Sequence, residues 1–254
     1  MRVKLFIGLA FLLLATPALS AEVISMGSDE WLPYVGTKEN RGYMIEVADE
    51  IFEKKGLKIQ LDSYPWARII HLVRKGDLAA APGVQKIQAP DFVIPKEPLG
   101  IDEAAFFVHK YDPWIYKNID SLQGKRLGVI KDYTYEKAID AYVSKNFADT
   151  SKIDVAHGDD PYEQVVKLLQ SKRVDVIVAN PNVFLYKLHT MGLNGSDYKK
   201  ITIPNSANYV YIGFSPAISQ STEYAKILSA GIVQMRRNGQ LKKILSKYQI
   251  KDWK

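Results

Sequence analysis

Apolar positions along the chain recur in two spacings, every second residue and every third to fourth, and the two alternate. Val23 to Met26 is a short apolar run that reads as a strand. Met44, Val47, Ala48, Ile51 and Phe52 then fall at helical spacing, with Gly56 just past the Lys54-Lys55 end. Leu57 to Leu61 alternates as a strand. A second helix, near Trp66 to Lys75, carries Ile69, Ile70, Leu72 and Val73 and stops at Gly76, before the small-residue strand Leu78 to Pro82. This β-α-β-α-β order predicts a mostly parallel sheet with helices packed on its faces.

The pattern restarts after Asp112-Pro113. Leu127 to Ile130 reads as a strand, Tyr135 to Val143 as a helix and Ile153 to Ala156 as a strand. A helix then begins at Asp160, where Asp160 can cap, Pro161 suits the first helical position and Glu163 would complete a capping box. Val174 to Ala179 reads as a buried strand, Tyr209 to Phe214 as a last strand, and a terminal helical pair is broken at Gly239. The expected fold class is α/β with two similar units and no low-complexity linker between them.

The N-terminus changes the picture of where the protein works. Arg2 and Lys4 precede an apolar run of eleven residues, Leu5 to Ala15, followed by Thr16-Pro17-Ala18-Leu19-Ser20-Ala21. Charge, apolar run and small residues in that order predict a cleavable export signal over residues 1–20. The run is too short for a membrane-spanning helix, which needs roughly 20 apolar residues. The chain has no cysteine, so neither a disulfide nor a lipidated cysteine is expected, and the reading is a freely diffusing periplasmic protein. The formal charge of +6 includes Arg2 and Lys4; removing them leaves 32 basic against 28 acidic residues, or +4. The basic residues are scattered, which argues against nucleic acid as a partner.

Several segments, in order, resemble the type II periplasmic binding proteins of the extracellular solute-binding family 3, the receptors of polar amino-acid ABC transporters. They are Trp31-Leu32-Pro33-Tyr34, Gly42-Tyr43, Pro65-Trp66-Ala67-Arg68, the run Leu122 to Val129 with Tyr133-Thr134-Tyr135-Glu136 behind it, Val174 to Asn180, and Met235 to Ile244. The resemblance implies a two-lobed fold in which each lobe is a mostly parallel sheet flanked by helices. Lobe 1 would comprise residues 21–110 and 205–254, lobe 2 residues 111–204, and two crossing strands would act as the hinge. It also implies a monomer that closes on a small-molecule ligand, needs no cofactor or metal, does not insert into the membrane, and hands its cargo to an ABC permease. A periplasmic receptor reporting to a membrane sensor is the alternative.

In such receptors an arginine of lobe 1 holds the ligand carboxylate and an aspartate ending a lobe 2 strand holds its ammonium. Here that strand ends in Asn180, and the segment Gly83 to Asp91 contains no arginine. A neutral amide does not compensate a buried ammonium, so the ligand is expected to be a small polar molecule other than a standard α-amino acid. Arg68 is the expected replacement anchor, with Lys86, near Gly83, as the competing one. Trp31, Tyr34 and Trp66 are candidate aromatic platforms, although Tyr34 fits core packing equally well. Thr134 could receive an anionic group at a helix start or serve there as the N-cap, and Tyr133 would narrow the cleft.

No catalytic arrangement is evident. His71, His109, His157 and His189 are far apart and fit no metal-ligand spacing, and no nucleophile elbow, phosphate loop or dinucleotide glycine pattern occurs. A dehydratase on the same fold would need a carboxylic acid in the cleft, for which only Glu97 or Glu103 could be offered. With the chain ending at Lys254, no attached kinase, transmembrane or transglycosylase portion is expected.

Overall fold

The computed structural model describes residues 22–131, 133–158 and 160–254; the expected export signal over 1–20 lies outside them. Two five-stranded sheets organise the chain. The first is built from β1 (Glu22–Ser28), β2 (Leu57–Ser63), β3 (Ala80–Val84), β4 (Gly100–Asp102) and β10 (Asn208–Phe214), in the order β2-β1-β3-β10-β4. The second contains β5 (Ala105–His109), β6 (Leu127–Ile130), β7 (Ile153–Ala156), β8 (Val176–Ala179) and β9 (Tyr198–Thr202), in the order β7-β6-β8-β5-β9. In each sheet the first three strands of the order run parallel, the fourth runs antiparallel to them, and the fifth pairs antiparallel with the fourth. The expected two-lobed α/β fold, with sheets flanked by helices, is the fold observed.

The chain leaves the first sheet after Asp102 and enters the second at Ala105; it leaves the second after Thr202 and returns at Asn208. The two crossings run side by side, because Asp102 pairs with Asn208 on one side and Ala105 with Thr202 on the other. The strand Ala105–His109, grouped with lobe 1 in the division expected from sequence, therefore pairs in the second sheet. Its residues are buried to Val108, and a continuous apolar run carries no local mark of the sheet it joins.

The helices form where the apolar spacing placed them. α1 (Tyr43–Glu53) buries Met44, Val47, Ala48, Ile51 and Phe52 on one face. α2 (Trp66–Lys75) ends at Gly76, whose φ of 85° is the left-handed conformation that closes a helix at little cost for glycine. α6 (Ser221–Arg237) and α7 (Gln240–Lys247) are separated at Gly239, φ 80°. α3 (Lys137–Asn146) starts two residues later than expected. Tyr135 stays outside it because its hydroxyl accepts the Ile130 N–H at 2.8 Å and its own N–H donates to Asp140. α4 (Pro161–Gln170) has the expected cap, Asp160 accepting from the Glu163 N–H at 2.9 Å, but the box is half formed: the Glu163 carboxylate reaches forward to Lys167 instead. α5 (Pro181–Thr190), capped by Asn180, had no counterpart in the sequence reading.

Candidate functional site

In parallel sheets, ligands bind beyond the carboxyl ends of the strands where the strand order reverses. Here the central strands β1, β3, β6 and β8 end at Ser28, Val84, Ile130 and Ala179, and the segments just after them meet across the hinge. They enclose a cleft of about 960 Å³ whose wall includes Trp31 and Gln85 from lobe 1, Tyr133, Thr134, Glu136 and Asn180 from lobe 2, and Asp102 at the crossing. Trp31, Tyr133 and Tyr162 also line an adjoining cavity of about 480 Å³, so these three aromatics stand between the two spaces.

The floor is held by a hydrogen-bond network from both lobes. Tyr34 is fully buried, and its hydroxyl donates to the Ile101 carbonyl at 2.5 Å and accepts from the Asn182 amide at 2.8 Å. The Asn180 Nδ2 donates to Asp102 Oδ1 at 2.8 Å and to the Tyr34 hydroxyl at 3.2 Å, while its Oδ1 accepts from the N–H groups of Asn182 and Val183. Every polar valence of Asn180 is thereby used within the protein. Burial pushes the Tyr34 phenol far above its ordinary range, only partly offset by the amides of Asn180 and Asn182. Tyr34 stacks on Trp31, with ring centroids 3.9 Å apart and planes 6° from parallel, and is not among the residues lining the cleft.

The wall contains a carboxylate that the sequence reading missed. Asp102 accepts from Asn180 at Oδ1 and from the Gln85 Nε2 at Oδ2, 3.1 Å, both neutral donors. No cation among the described residues pairs with it. Burial raises its carboxyl above the usual range, the two amides pull it down, and neighbouring Glu103 raises it further. The signal available in the sequence was the acid pair Asp102-Glu103 immediately before the apolar run Ala104 to Val108.

The helix starts along the cleft are already occupied. At α3 the N-cap is Glu136, whose carboxylate accepts from Ala138 N–H at 3.0 Å, so Thr134 sits outside the helix as an exposed wall residue and is not the cap. Asp160 caps α4 and is paired with Lys187. Asn180 caps α5. At α2, the Trp66 N–H donates to Asp29 at 3.1 Å.

Of the residues singled out from sequence, Trp31, Tyr133, Thr134 and Asn180 meet at the cleft. Gly83 lies behind Trp31; a Cβ there would sit 3.5 Å from the indole ring, and its φ of 88° disfavours any side chain. Trp66, Arg68 and Lys86 are not among the residues lining either cavity. Trp66 packs on a separate apolar cluster around Ile69 and Val73. Arg68 is exposed, its guanidinium 5.4 Å from the centre of the Tyr64 ring, and the Lys86 ammonium lies 5.0 Å from that of Tyr211. Both side chains are exposed, although Gln85, Ile87 and Gln88 beside Lys86 do line the cleft.

No family model matches the chain, and no curated protein sequence matches it. Solved structures do. An ancestral arginine-binding protein bound to glutamine is 21% identical, with a TM-score of 0.58, covering 89% of this chain and 97% of that one. A polar amino acid ABC uptake transporter substrate-binding protein from Streptococcus thermophilus is 18% identical, with a TM-score of 0.67, covering 89% and 85%. A histidine kinase sensor domain with similarity to periplasmic binding proteins is 17% identical, with a TM-score of 0.58, covering 89% and 95%. The fold is that of the type II periplasmic binding proteins, the fold of amino-acid ABC transporter substrate-binding proteins. No helix among the described residues is long and apolar enough to cross a membrane.

Proposed function

We propose that the protein is an exported, periplasmic solute-binding protein that captures a small polar molecule other than a standard α-amino acid, without chemical conversion, and delivers it to an ABC-type importer. The lobes would be residues 22–102 with 208–254, and 105–202, each moving as a body about the paired crossings. The observation that carries this reading is a single cleft walled by Trp31 from one lobe and by Tyr133, Thr134 and Tyr162 from the other, on a floor bonded across the hinge. A ligand touching both walls has its full affinity only for the closed arrangement, so it shifts the open–closed equilibrium by that difference in binding energy. The closed form is what a membrane partner would recognise. Against an α-amino acid stands the lack of a guanidinium in the cleft lining to hold its carboxylate, Arg68 being outside it and the Asn180 amide being engaged within the protein.

A second reading, a receptor reporting to a membrane sensor, draws support from the likeness to a histidine kinase sensor domain. A thermal-shift screen of a metabolite library tests what the two readings share: a ligand at 100 times its dissociation constant stabilises the protein by about 2.7 kcal/mol. Ligand uptake that disappears on deleting the protein supports the importer. A transcriptional response that disappears while uptake persists supports the sensor.

A further inference from the structure

The geometry points to an organic cation without an α-carboxylate, an amine or guanidinium compound, as the ligand of this cleft, with Asp102 as its charge partner. The inference rests on the solute-binding reading and deepens it.

Three observations converge. Four carboxylates line the cleft, Asp102, Glu103, Glu136 and Asp140, against one ammonium, Lys137. Glu103 is paired with Lys200. The other three meet no cation within ion-pair distance among the described residues; Asp102 accepts only side-chain amides, while Glu136 and Asp140 accept backbone N–H groups. A chain of formal charge +6 thus has a negative cleft, and low-dielectric walls focus that potential on an entering cation. Because the carboxylates come from both sides of the hinge, closure without a ligand brings like charges together, and a cation between them removes that penalty.

The second observation is aromatic. Trp31 faces the cleft from lobe 1, and Tyr133 and Tyr162 from lobe 2, their rings 5.7 Å apart and nearly perpendicular. Ring faces on both sides suit a flat guanidinium or an alkylammonium. Tyr162 is 8% exposed and lines the cleft.

The third is what an anion would lack. A ligand carboxylate needs a guanidinium or an open helix N-terminus. Arg68 and Lys86 do not line the cleft, and the starts of α2, α3, α4 and α5 are filled by Asp29, Glu136, Asp160 and Asn180.

Agmatine and arginine carry the same guanidinium and differ by one carboxylate, so they test the claim directly. The full-length mature protein is titrated calorimetrically, and followed by thermal shift, with agmatine, 1,4-diaminobutane, arginine, succinate and the uncharged 1,4-butanediol. Agmatine or 1,4-diaminobutane is expected to bind, with arginine, succinate and butanediol at least about 100-fold weaker. Asp102→Asn is expected to weaken the amine about 100-fold while its far-ultraviolet circular dichroism stays that of the wild type. Arginine binding as tightly as agmatine, or succinate or butanediol binding in preference to the amines, overturns the inference while leaving a solute-binding protein. Absence of binding by all five overturns the inference, and if a wider metabolite library also fails, the solute-binding reading falls with it. Should Asp102→Asn not fold, the diamine against butanediol in the wild-type protein still decides whether charge is what the cleft selects.

Discussion

On the lobe 2 side of the cleft, each helix that begins there carries an acceptor of its own: Glu136 on α3, Asp160 on α4 and Asn180 on α5. At the crossing from lobe 1, Asp102 receives two neutral amides and, among the described residues, no cation. One wall has its positive helix ends already matched, and the floor has a negative group left over. The difference shows that helix starts pointing at a cleft do not by themselves make it an anion site; what matters is whether the sequence caps them.

The largest expected effect is at the residue that joins the two sides. Tyr34→Ala removes a fully buried ring beneath Trp31 and the hydroxyl that bridges Ile101 and Asn182, and should cost about 3–5 kcal/mol in urea-induced unfolding. Tyr34→Phe keeps the ring and should cost about 1 kcal/mol, since it leaves one carbonyl and one amide unpartnered.

Beneath the crossing, Gly100 tests how tightly the floor is built. A Cβ there would lie 2.2 Å from the Tyr43 hydroxyl and 3.1 Å from Val210, so Gly100→Ala should destabilise by about 1–3 kcal/mol. The Tyr43 hydroxyl is buried with no hydrogen-bond partner among the described residues. Tyr43→Phe alone should therefore be neutral or stabilising, and combined with Gly100→Ala it should recover part of the loss. A double-mutant cycle with no coupling would contradict the contact.

The charged pair of predictions contrasts the two walls directly. Asp160→Ala removes a cap and the Lys187 partner and should cost about 1 kcal/mol at neutral pH. Burial raises the Asp160 carboxyl, but Lys187 and the Glu163 N–H outweigh it and hold it below the ordinary range. Its contribution is thus present above the ordinary aspartate pKa and disappears as pH falls through the depressed one. Asp102 has the opposite sign. Its raised carboxyl makes the ionised form unfavourable to the fold at neutral pH, so Asp102→Asn should slightly raise the unliganded melting temperature at pH 7. That advantage should shrink as pH falls and the wild-type carboxyl takes up its proton. The Gln85 amide can turn to donate or accept, which keeps the substitution satisfied.

Much of the fold was legible because its signals are local. The apolar face of α1, the stops at Gly76 and Gly239 and the Asp160-Pro161 start each need only a few neighbouring residues to be read. Of the crossing strands, β4 and β9 were not, since β4 has three residues and β9, Tyr-Lys-Lys-Ile-Thr, is a polar strand at a sheet edge whose identity depends on β5 beside it. At the site, Trp31, Tyr133, Thr134 and Asn180 were reached through the resemblance to the solute-binding proteins, which implies ligand contacts just after strands. Asp102 could not be found that way: it belongs to the crossing, and its lack of a cation is a property of three segments far apart in sequence. A two-residue shift in the start of α3 was enough to move the cap from Thr134 to Glu136, and with it the sign of the charge at that helix end.

The central claim is that one ligand engages both lobes, and small-angle X-ray scattering addresses it without labels. With agmatine or 1,4-diaminobutane at saturation, as judged by calorimetry on the same sample, the radius of gyration should fall as the lobes close about the crossings. A saturated protein whose scattering curve matches the unliganded one would contradict the account, because the ligand would then be held by one lobe alone.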